Sequence, residues 1–291
     1  MKLKEALEKK KFTVTSEIQT PFDEDPASLM KALESVRERV DGFSVVETEI
    51  NGVVGDSIKI CKELQNNRFE AVYRTTIRDK SRPKLLKDLA LAHKSGVENI
   101  LTFTEFYRIS GDSLQEMMFF HVDSGKLQSV LEHLSEGRNV DGHELPSKAS
   151  FLVGAGVDCR WGSDVPSMEL KEMESMRELG TGFFLTTPVF EIDRFEKFMR
   201  QAKQIGVPVI AEVMILKTAG MGSFMNRHVN PNMVPEHVIR KLAKSTDRQK
   251  SSIEIFAETV RGLKEICQGV HIITIGAESK LKLYLDAAKL Y

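Results

Sequence analysis

The segment IDRFEKFMRQAKQIGVPVIAEVM, residues 192–214, contains the pattern that decides the fold. Its first part, residues 192–205, carries apolar side chains at three- and four-residue spacing, which predicts an amphipathic helix. Gly206 follows, and a glycine in the left-handed conformation commonly ends a helix. The apolar run at residues 207–214 is short and rich in β-branched side chains, which predicts a buried strand. The segment is therefore one helix–strand unit.

The same unit recurs along the whole chain. We predict eight strands, at residues 12–18, 43–47, 69–75, 99–104, 150–156, 183–187, 207–214 and 270–276. The helical patterns between them lie at residues 25–40, 84–95, 125–134, 168–179, 192–205 and 253–266. Eight successive β–α units predict a parallel sheet closed into a (β/α)₈ TIM barrel. Because no linker rich in Pro, Gly or Ser interrupts the pattern, we assign residues 1–291 to a single barrel domain.

A doubly wound open sheet is the alternative architecture. Its dinucleotide-binding members carry Gly-x-Gly-x-x-Gly after the first strand, and this chain has no such motif there. Two stretches exceed what a minimal barrel needs: residues 106–123, after the fourth strand, and residues 214–250, which hold two further helical patterns. Long loops on a barrel often carry function.

Composition excludes several classes of protein. The chain has 291 residues, with 41 Lys plus Arg against 42 Asp plus Glu, so it lacks the basic surface of a nucleic-acid-binding protein. Three widely spaced cysteines argue against a disulfide framework and fit a reducing compartment. No apolar run approaches the roughly 20 residues of a membrane span, and the charged N-terminal segment does not resemble a signal peptide. We expect a soluble cytoplasmic protein.

The residues at the ends of the predicted strands are the candidates for function, because TIM-barrel enzymes act at the carboxyl ends of their strands. Acids with a few bases predominate among them: Glu17, Gln19, Glu47, Glu49, Arg74, Thr76, Thr104, Glu105, Tyr107, Asp158, Arg160, Thr186, Thr187, Glu212, Lys217, Glu278 and Lys280. Clustered carboxylates raise one another's pKa, so that one of them can hold a proton near neutral pH. Such a proton could be given to a ring nitrogen.

Glu17 is the leading catalytic candidate, because it interrupts the apolar strand TVTSEI, where burial of a charge is costly without a purpose. The alternative is a solvated or salt-bridged carboxylate. His271, inside the eighth strand, is interpreted as a core histidine with satisfied hydrogen bonds. Cys159 beside Arg160 is either an inert cysteine or a reactive thiol whose pKa the cation lowers. No His or Cys spacing indicates a metal site.

The chain resembles the short bacterial methylenetetrahydrofolate reductases from end to end. Four segments that carry the resemblance are KLKEALEKKKFTVTSEIQTPFDEDP (2–26), YRTTIRDKSR (73–82), GVENILTFTEFYRISGD (96–112) and FFLTTPVFEIDRF (183–195). The resemblance implies a barrel that binds FAD at its strand ends. The flavin takes a hydride from NAD(P)H and passes it to methylene-tetrahydrofolate, while a glutamate, matched here by Glu17, helps to protonate the pterin.

Site residues are assigned from the resemblance and the strand-end positions together. The catalytic candidates are Glu17 and Glu105. The cofactor-binding candidates are Arg74, Thr76, Thr104, Tyr107 and Asp158, and the substrate-binding candidates are Gln19, Thr187 and Glu212.

The chain departs from the family pattern at the site while the scaffold is kept. Phe106 stands where the family has an aspartate after strand four, and Glu105 beside it is the candidate substitute. The other replacements are Arg74 for His or Gln, Thr187 for Gln, Glu212 for a glycine, and Met176 for a lysine expected to hold the cofactor's phosphates. Losing a phosphate-pairing lysine costs roughly 1–3 kcal/mol. These changes put FAD binding in doubt and indicate a retuned or replaced ligand.

Two functions of different classes follow. The first is a flavin-dependent oxidoreductase that reduces methylene-tetrahydrofolate to methyl-tetrahydrofolate, with NAD(P)H or a partner electron carrier as donor. The second is a flavin-independent methyltransferase that moves a methyl group between a reduced pterin and a corrinoid partner protein. A catalytically idle subunit of a larger reductase complex is the third. Related barrels commonly associate, so a homo-oligomer remains open.

Overall fold

Eight parallel strands close into a barrel in this computed structural model, which describes residues 2–9, 11–20, 26–46, 49–50, 53–77, 80–103, 124–139, 141–160, 165, 167–229 and 233–290. The strands in chain order are β1 Thr13–Gln19, β2 Gly42–Val46, β3 Glu49–Ile50, β4 Val53–Val54, β5 Ala71–Thr76, β6 Asn99–Phe103, β7 Leu152–Val157, β8 Phe183–Pro188, β9 Val209–Met214 and β10 Gly269–Ile273. Around the barrel the order is β1-β10-β9-β8-β7-β6-β5-β2. Because β1 pairs with both β10 and β2, the sheet is closed and the open-sheet alternative is excluded.

Helices connect the strands. They are α1 Leu3–Glu8, α2 Pro26–Glu34, α3 Ser57–Asn66, α4 Arg82–Lys94, α5 Ser124–Glu136, α6 Ser167–Glu178, α7 Ile192–Ala202, α8 Ala219–His228, α9 Glu236–Lys244, α10 Arg248–Leu263 and α11 Leu281–Ala287. None of these helices, which are those of the described ranges, is long and apolar enough to cross a bilayer.

The helix–strand unit at residues 192–214 forms as the sequence predicts. Helix α7 buries Phe195, Phe198 and Met199 against the barrel. A short 3₁₀ turn follows, and Gly206 ends it with φ 79°, in the left-handed region. The chain then enters β9, whose residues are all buried.

The eight predicted barrel strands are confirmed, and three elements besides the N-terminal helix α1 have no counterpart among the predicted strands and helices. These are helix α3, helix α11 and the antiparallel hairpin of β3 and β4. Helix α2 is shorter than its prediction of residues 25–40, since it ends at Glu34. The two extra helical patterns within residues 214–250 are α8 and α9, which pack with α10 around Met214, Val234 and Ile255.

A cluster of apolar side chains lies in the amino-terminal half of the barrel interior. Side chains of β5, β6, β8 and β9 meet those of α1, which covers this end of the barrel. We call this set the lower cluster; its members are Leu3, Leu7, Val72, Leu101, Phe183, Leu185 and Ile210. The opposite faces of the strands pack against the surrounding helices in a second, larger core.

Candidate active site

The inward-facing side chains of β5 and β9 change from apolar to charged at the next inward-facing position above the lower cluster. On β5, Arg74 follows Val72, and on β9, Glu212 follows Ile210. Successive inward-facing residues on a strand are two apart, so both polar side chains point into the barrel. With Glu17 of β1 they form what we call the charged layer. Its two carboxylates are buried, at 7% exposure for Glu17 and 5% for Glu212.

An ion pair crosses the barrel interior in this layer. Arg74 Nη1 donates to Glu17 Oε2 at 2.9 Å. Strand β2 lies between β1 and β5, so the two side chains must reach over it through the interior. Glu17 therefore faces inward at the carboxyl end of the barrel. Burial raises the pKa of Glu17, the charge and hydrogen bond of Arg74 oppose that rise, and Glu278 adds to it.

The register places Glu212 level with Glu17. Glu17 pairs with Ser44, which pairs with Val72, yet the residue that contacts Glu17 is Arg74, two positions further along. Strand tilt thus displaces register partners by about one residue per strand along the barrel axis. In the opposite direction around the barrel, Glu212 pairs with His271, and His271 pairs with Thr15. The same displacement over these two strands places Glu212 at the height of Glu17 along the barrel axis.

Layers in a TIM barrel are built by four side chains from alternate strands. Here β1, β5 and β9 contribute Glu17, Arg74 and Glu212. The alternate strand that remains is β7, and by the same register its residue at this level is Gly156. Three side chains of the described chain therefore share a layer that four fill in a packed barrel.

Glu212 is the protonated member of the layer at neutral pH. Burial raises the pKa of Glu212 to about 8; Arg74 lowers it and the negative charge of Glu17 raises it. Within the described ranges no hydrogen bond reaches its carboxyl group. One cation can compensate only one buried carboxylate, and the hydrogen bond from Arg74 goes to Glu17. The layer thus combines an ionised carboxylate, a cation and a neutral carboxylic acid.

His271 lies just beneath the charged layer, on β10 between the strands of Glu17 and Glu212. Its Nδ1 is 2.8 Å from Thr15 Oγ1. Its Nε2 is buried, and none of the described residues offers it a hydrogen-bond partner. Burial, with a smaller effect of Arg74, lowers the pKa of His271 to about 3, so the ring is neutral. The prediction of a fully satisfied core histidine is wrong for this nitrogen.

A second polar group surrounds Thr187 at the rim. Arg160 Nε donates to Asp158 Oδ1 at 2.8 Å, and Thr187 Oγ1 donates to the same oxygen at 3.3 Å. The Cys159 thiol lies 3.3 Å from the Thr187 carbonyl oxygen. Burial raises the pKa of Cys159 to about 12, and Arg160 is bound to Asp158, so the thiol is inert and the reactive alternative is wrong.

The remaining predicted site residues divide into two groups. Gln19 is half-buried at the end of β1, and Thr76 is buried at the end of β5, so both lie at the carboxyl end of the barrel. The others fall outside the described residues: Thr104, Glu105, Phe106 and Tyr107.

The expectation attached to Met176 is wrong. Met176 lies in α6, 2% exposed, within the outer core. Its carbonyl oxygen accepts from the Thr181 backbone N–H at 3.0 Å, just before β8 begins at Phe183. The position is therefore at the amino end of the barrel, where no side chain reaches a ligand at the mouth, and its identity carries no information about cofactor phosphates.

The charges of the described mouth residues do not suit FAD. Its diphosphate would bring two negative charges, which need cations or free N–H groups. The described cations at the strand ends are bound to groups of the chain itself: Arg74 to Glu17, Arg160 to Asp158, Lys217 to the Ile275 carbonyl oxygen and Lys280 to Gln249. Two of the predicted cofactor-binding residues, Arg74 and Asp158, are among these paired groups.

Sequence reasoning missed the buried polar atoms beneath the charged layer, His271 Nε2 and Ser44 Oγ. A usable signal exists in the sequence. Ser44 and His271 each lie on a strand that flanks β1, and both are inward-facing by the two-residue period. Polar residues on three neighbouring strands indicate a polar interior on that side.

Comparison with known proteins gives both a family and a fold. A family model described as methylenetetrahydrofolate reductase matches residues 2–289. No curated protein matches the sequence. A solved protein from Clostridium thermocellum that binds two copies of 5-methyl-5,6,7,8-tetrahydrofolic acid aligns with TM-score 0.62 at 13% identity, covering 99% of this chain and 98% of that one.

More distant barrels also align. A variant of the tryptophan synthase α-subunit from Pyrococcus furiosus has TM-score 0.55 and 14% identity, covering 95% of this chain and 97% of that one. An EDTA monooxygenase from a Chelativorans species has TM-score 0.54 and 10% identity, covering 95% and 92%. At these identities the likeness supports the barrel fold alone, because one fold hosts many functions.

Proposed function

The chain belongs to the methylenetetrahydrofolate reductase family, and on that premise we propose that it reduces methylene-tetrahydrofolate to methyl-tetrahydrofolate at the carboxyl end of its barrel. The observation that carries the proposal is the charged layer, in which Glu17 lies between Arg74 and Glu212 in the strand order around the barrel. An acid held at the mouth of a barrel suits a substrate that must be protonated before it is reduced.

The chemistry asks for one proton and one hydride. A proton delivered to the bridging nitrogen of methylene-tetrahydrofolate breaks its bond to the methylene carbon and leaves an iminium ion. A hydride that NAD(P)H would supply then adds to that carbon and produces the methyl group, and the nicotinamide donor is oxidised to NAD(P)⁺. Glu17 is the group that contacts the pterin, because it is the family glutamate and its carboxyl group lies inside the barrel mouth.

Arg74 acts on Glu17 rather than on the substrate. When Glu17 gives its proton away, the buried carboxylate that results needs a nearby cation. The guanidinium 2.9 Å from Glu17 Oε2 supplies it and holds the side chain in one orientation. Burial raises the pKa of Glu17 and the contact with Arg74 opposes that rise, so the guanidinium stabilises the carboxylate that remains after the proton has been given away.

A reduced folate is the ligand to test. The Clostridium thermocellum barrel, which covers nearly the same length, binds 5-methyl-5,6,7,8-tetrahydrofolic acid. Gly156 brings no side chain into the charged layer. Gln19, Thr76 and Thr187 at the same end of the barrel supply the polar groups that a flat heterocycle binds.

The charge mismatch with FAD favours a second candidate, flavin-independent methyl transfer between a reduced pterin and a corrinoid partner protein. Here Glu17 protonates the pterin in the same way. The cations at the strand ends that the structure describes are bound to the chain's own groups, and methyl transfer needs no diphosphate site.

The test is the formation of methyl-tetrahydrofolate from methylene-tetrahydrofolate, with NADH as donor, with and without added FAD. The proposal expects turnover by the wild type, a loss of roughly 10²–10⁴-fold in Glu17→Gln, and no change in Glu254→Gln, an exposed carboxylate on α10. Methyl-tetrahydrofolate binding without FAD binding or reduction would transfer the assignment to the methyltransferase. Absence of both would reject a folate function.

A further inference from the structure

The charged layer contains an acid that the family pattern does not supply. Glu212 replaces a glycine of that pattern, and the register brings it level with Glu17 on the far side of β10. The intervening strand carries His271, whose Nε2 is buried without a partner among the described residues. A buried polar atom without a hydrogen bond lowers the stability of the fold, so its retention here calls for an explanation.

We propose that Glu17 and Glu212 are a carboxyl pair that holds one proton in common, with Glu212 as the store from which Glu17 is charged and His271 as the group that guides the transfer. The inference rests on the proposed function, because it names the source of the proton that Glu17 delivers. Glu212 acts through Glu17 and is therefore a positioning residue rather than a catalytic one.

The charges explain why one proton belongs to both groups. Arg74 carries the only positive charge that the described residues place in the layer, and it binds Glu17. With Glu17 ionised and Glu212 neutral, the layer, including Arg74, has no net charge. The net charge is also zero when Glu212 is ionised and Glu17 is neutral. The states differ in which carboxylate carries the negative charge that Arg74 compensates. Two ionised carboxylates beside one buried cation would be strongly disfavoured.

The transfer step is balanced without any further reactant. The O–H bond of Glu212 breaks, an O–H bond forms on Glu17, and the negative charge moves to Glu212, where the charge of Arg74 still lowers its energy. A water molecule that donates to His271 Nε2 can accept from Glu212 and pass a proton to Glu17, since the ring lies beneath the space between them. Glu17 then protonates the pterin, and after product release the pair regains one proton from solvent at the mouth.

The groups that face Glu212 come from four strands and do not supply another proton. Arg74 of β5 and Glu17 of β1 lie in its own layer, and His271 of β10, with its lowered pKa, stays neutral. Cys159 at the end of β7 keeps its proton because burial raises its pKa to about 12. Glu278, held by Thr274 Oγ1 at 2.7 Å, faces Glu17 instead.

A direct experiment is infrared spectroscopy of the carboxylic-acid C=O stretch at pH 7, with Glu212→Gln, Glu17→Gln and the exposed control Glu254→Gln. We expect a band from a protonated carboxyl group in the wild type and in Glu254→Gln. The band should vanish in Glu212→Gln, and it should titrate away as the pH rises through about 8. A band that survives Glu212→Gln, or is absent from the wild type, overturns the inference.

The pH profile of turnover separates this role from a structural one. In Glu212→Gln a single carboxyl group remains beside Arg74, so the alkaline limb should move to lower pH and the rate at pH 7 should fall roughly tenfold or more. The exposed control Glu254→Gln should keep both the limb and the rate. An unshifted limb with an unchanged rate overturns the proposal. If the wild type neither binds nor converts folate while the infrared result holds, the proposed function fails and the carboxyl pair stands.

Discussion

The two halves of the barrel interior are built on the same strands and differ in kind. In the lower cluster β5 and β9 contribute Val72 and Ile210, and two residues later they contribute Arg74 and Glu212. The lower cluster is apolar and covered by α1, whereas the charged layer holds one cation and two buried carboxylates. A single inward step therefore separates the part that stabilises the barrel from the part that carries its chemistry.

In this barrel the lower cluster stabilises the fold, and the charged layer carries the proposed function at a cost in stability. Burial of the lower cluster is favourable by itself, since apolar surface leaves water. The charged layer is stable only while its members compensate one another, and Glu212 keeps a proton for that reason. A functional site of this kind reduces the stability of the fold that contains it.

The largest expected effect is in the lower cluster. Phe183 is 3% exposed, and its ring lies directly over Gly154, where a Cβ would be only 2.2 Å from the ring. Phe183→Ala should lower the free energy of unfolding by about 4 kcal/mol, through lost burial and a cavity. Urea denaturation measures this. Loss of methyl-tetrahydrofolate binding by the folded variant would show that the two halves are not separate.

Arg74→Met tests the charged layer. It leaves Glu17 buried without its cation, which should cost about 3 kcal/mol at pH 8. At pH 5 the loss should be smaller, because the raised pKa of both carboxyl groups lets protonation remove the uncompensated charge. Arg200→Met, at an exposed arginine of α7, is the control and should change stability by less than about 0.5 kcal/mol. Equal losses at both pH values would refute the compensation argument.

Glu212→Gln should stabilise the protein. The folded-state pKa of Glu212 is about 8, raised from 4.5, so below pH 4.5 both folded and unfolded states are protonated and the variant should match the wild type. As the pH rises toward 8 only the unfolded state ionises, and wild-type stability falls. At pH 7 the variant should therefore be more stable by about 2–3 kcal/mol. Melting temperatures across pH 4–8 check this, and a variant less stable than the wild type at pH 7 would contradict it.

The smallest effect is expected outside both halves, where α7 ends. Gly206 has φ 79° and open space where a Cβ would lie, so Gly206→Ala should cost about 1 kcal/mol through backbone conformation alone. Gly220→Ala, inside α8 with no positive φ, is the matched control and should not destabilise. Neither change should alter ligand binding, and calorimetry of both variants measures the difference.

The sequence predicts the repeating units well, because helix ends such as Gly206 and apolar periods are local signals. The hairpin of β3 and β4 is not predicted, because strands of two residues are too short to show an alternating apolar pattern. Glu17 is found because it breaks an apolar strand. Its pairing with Arg74 across 57 residues is not local, and it follows only from the register of a closed barrel. The expectation for Met176 fails because the residue lies in the last turn of its helix, which in a β–α unit packs at the amino end of the barrel.

The charged layer is proposed to bind a reduced pterin through Glu17. Titration calorimetry with methyl-tetrahydrofolate at pH 7 measures this binding. The account predicts saturable binding by the wild type, an affinity lower by roughly tenfold or more in Glu17→Gln, and wild-type affinity in Ile210→Val, a change confined to the lower cluster. No saturable heat with the wild type, or equal affinity in Glu17→Gln, would contradict it.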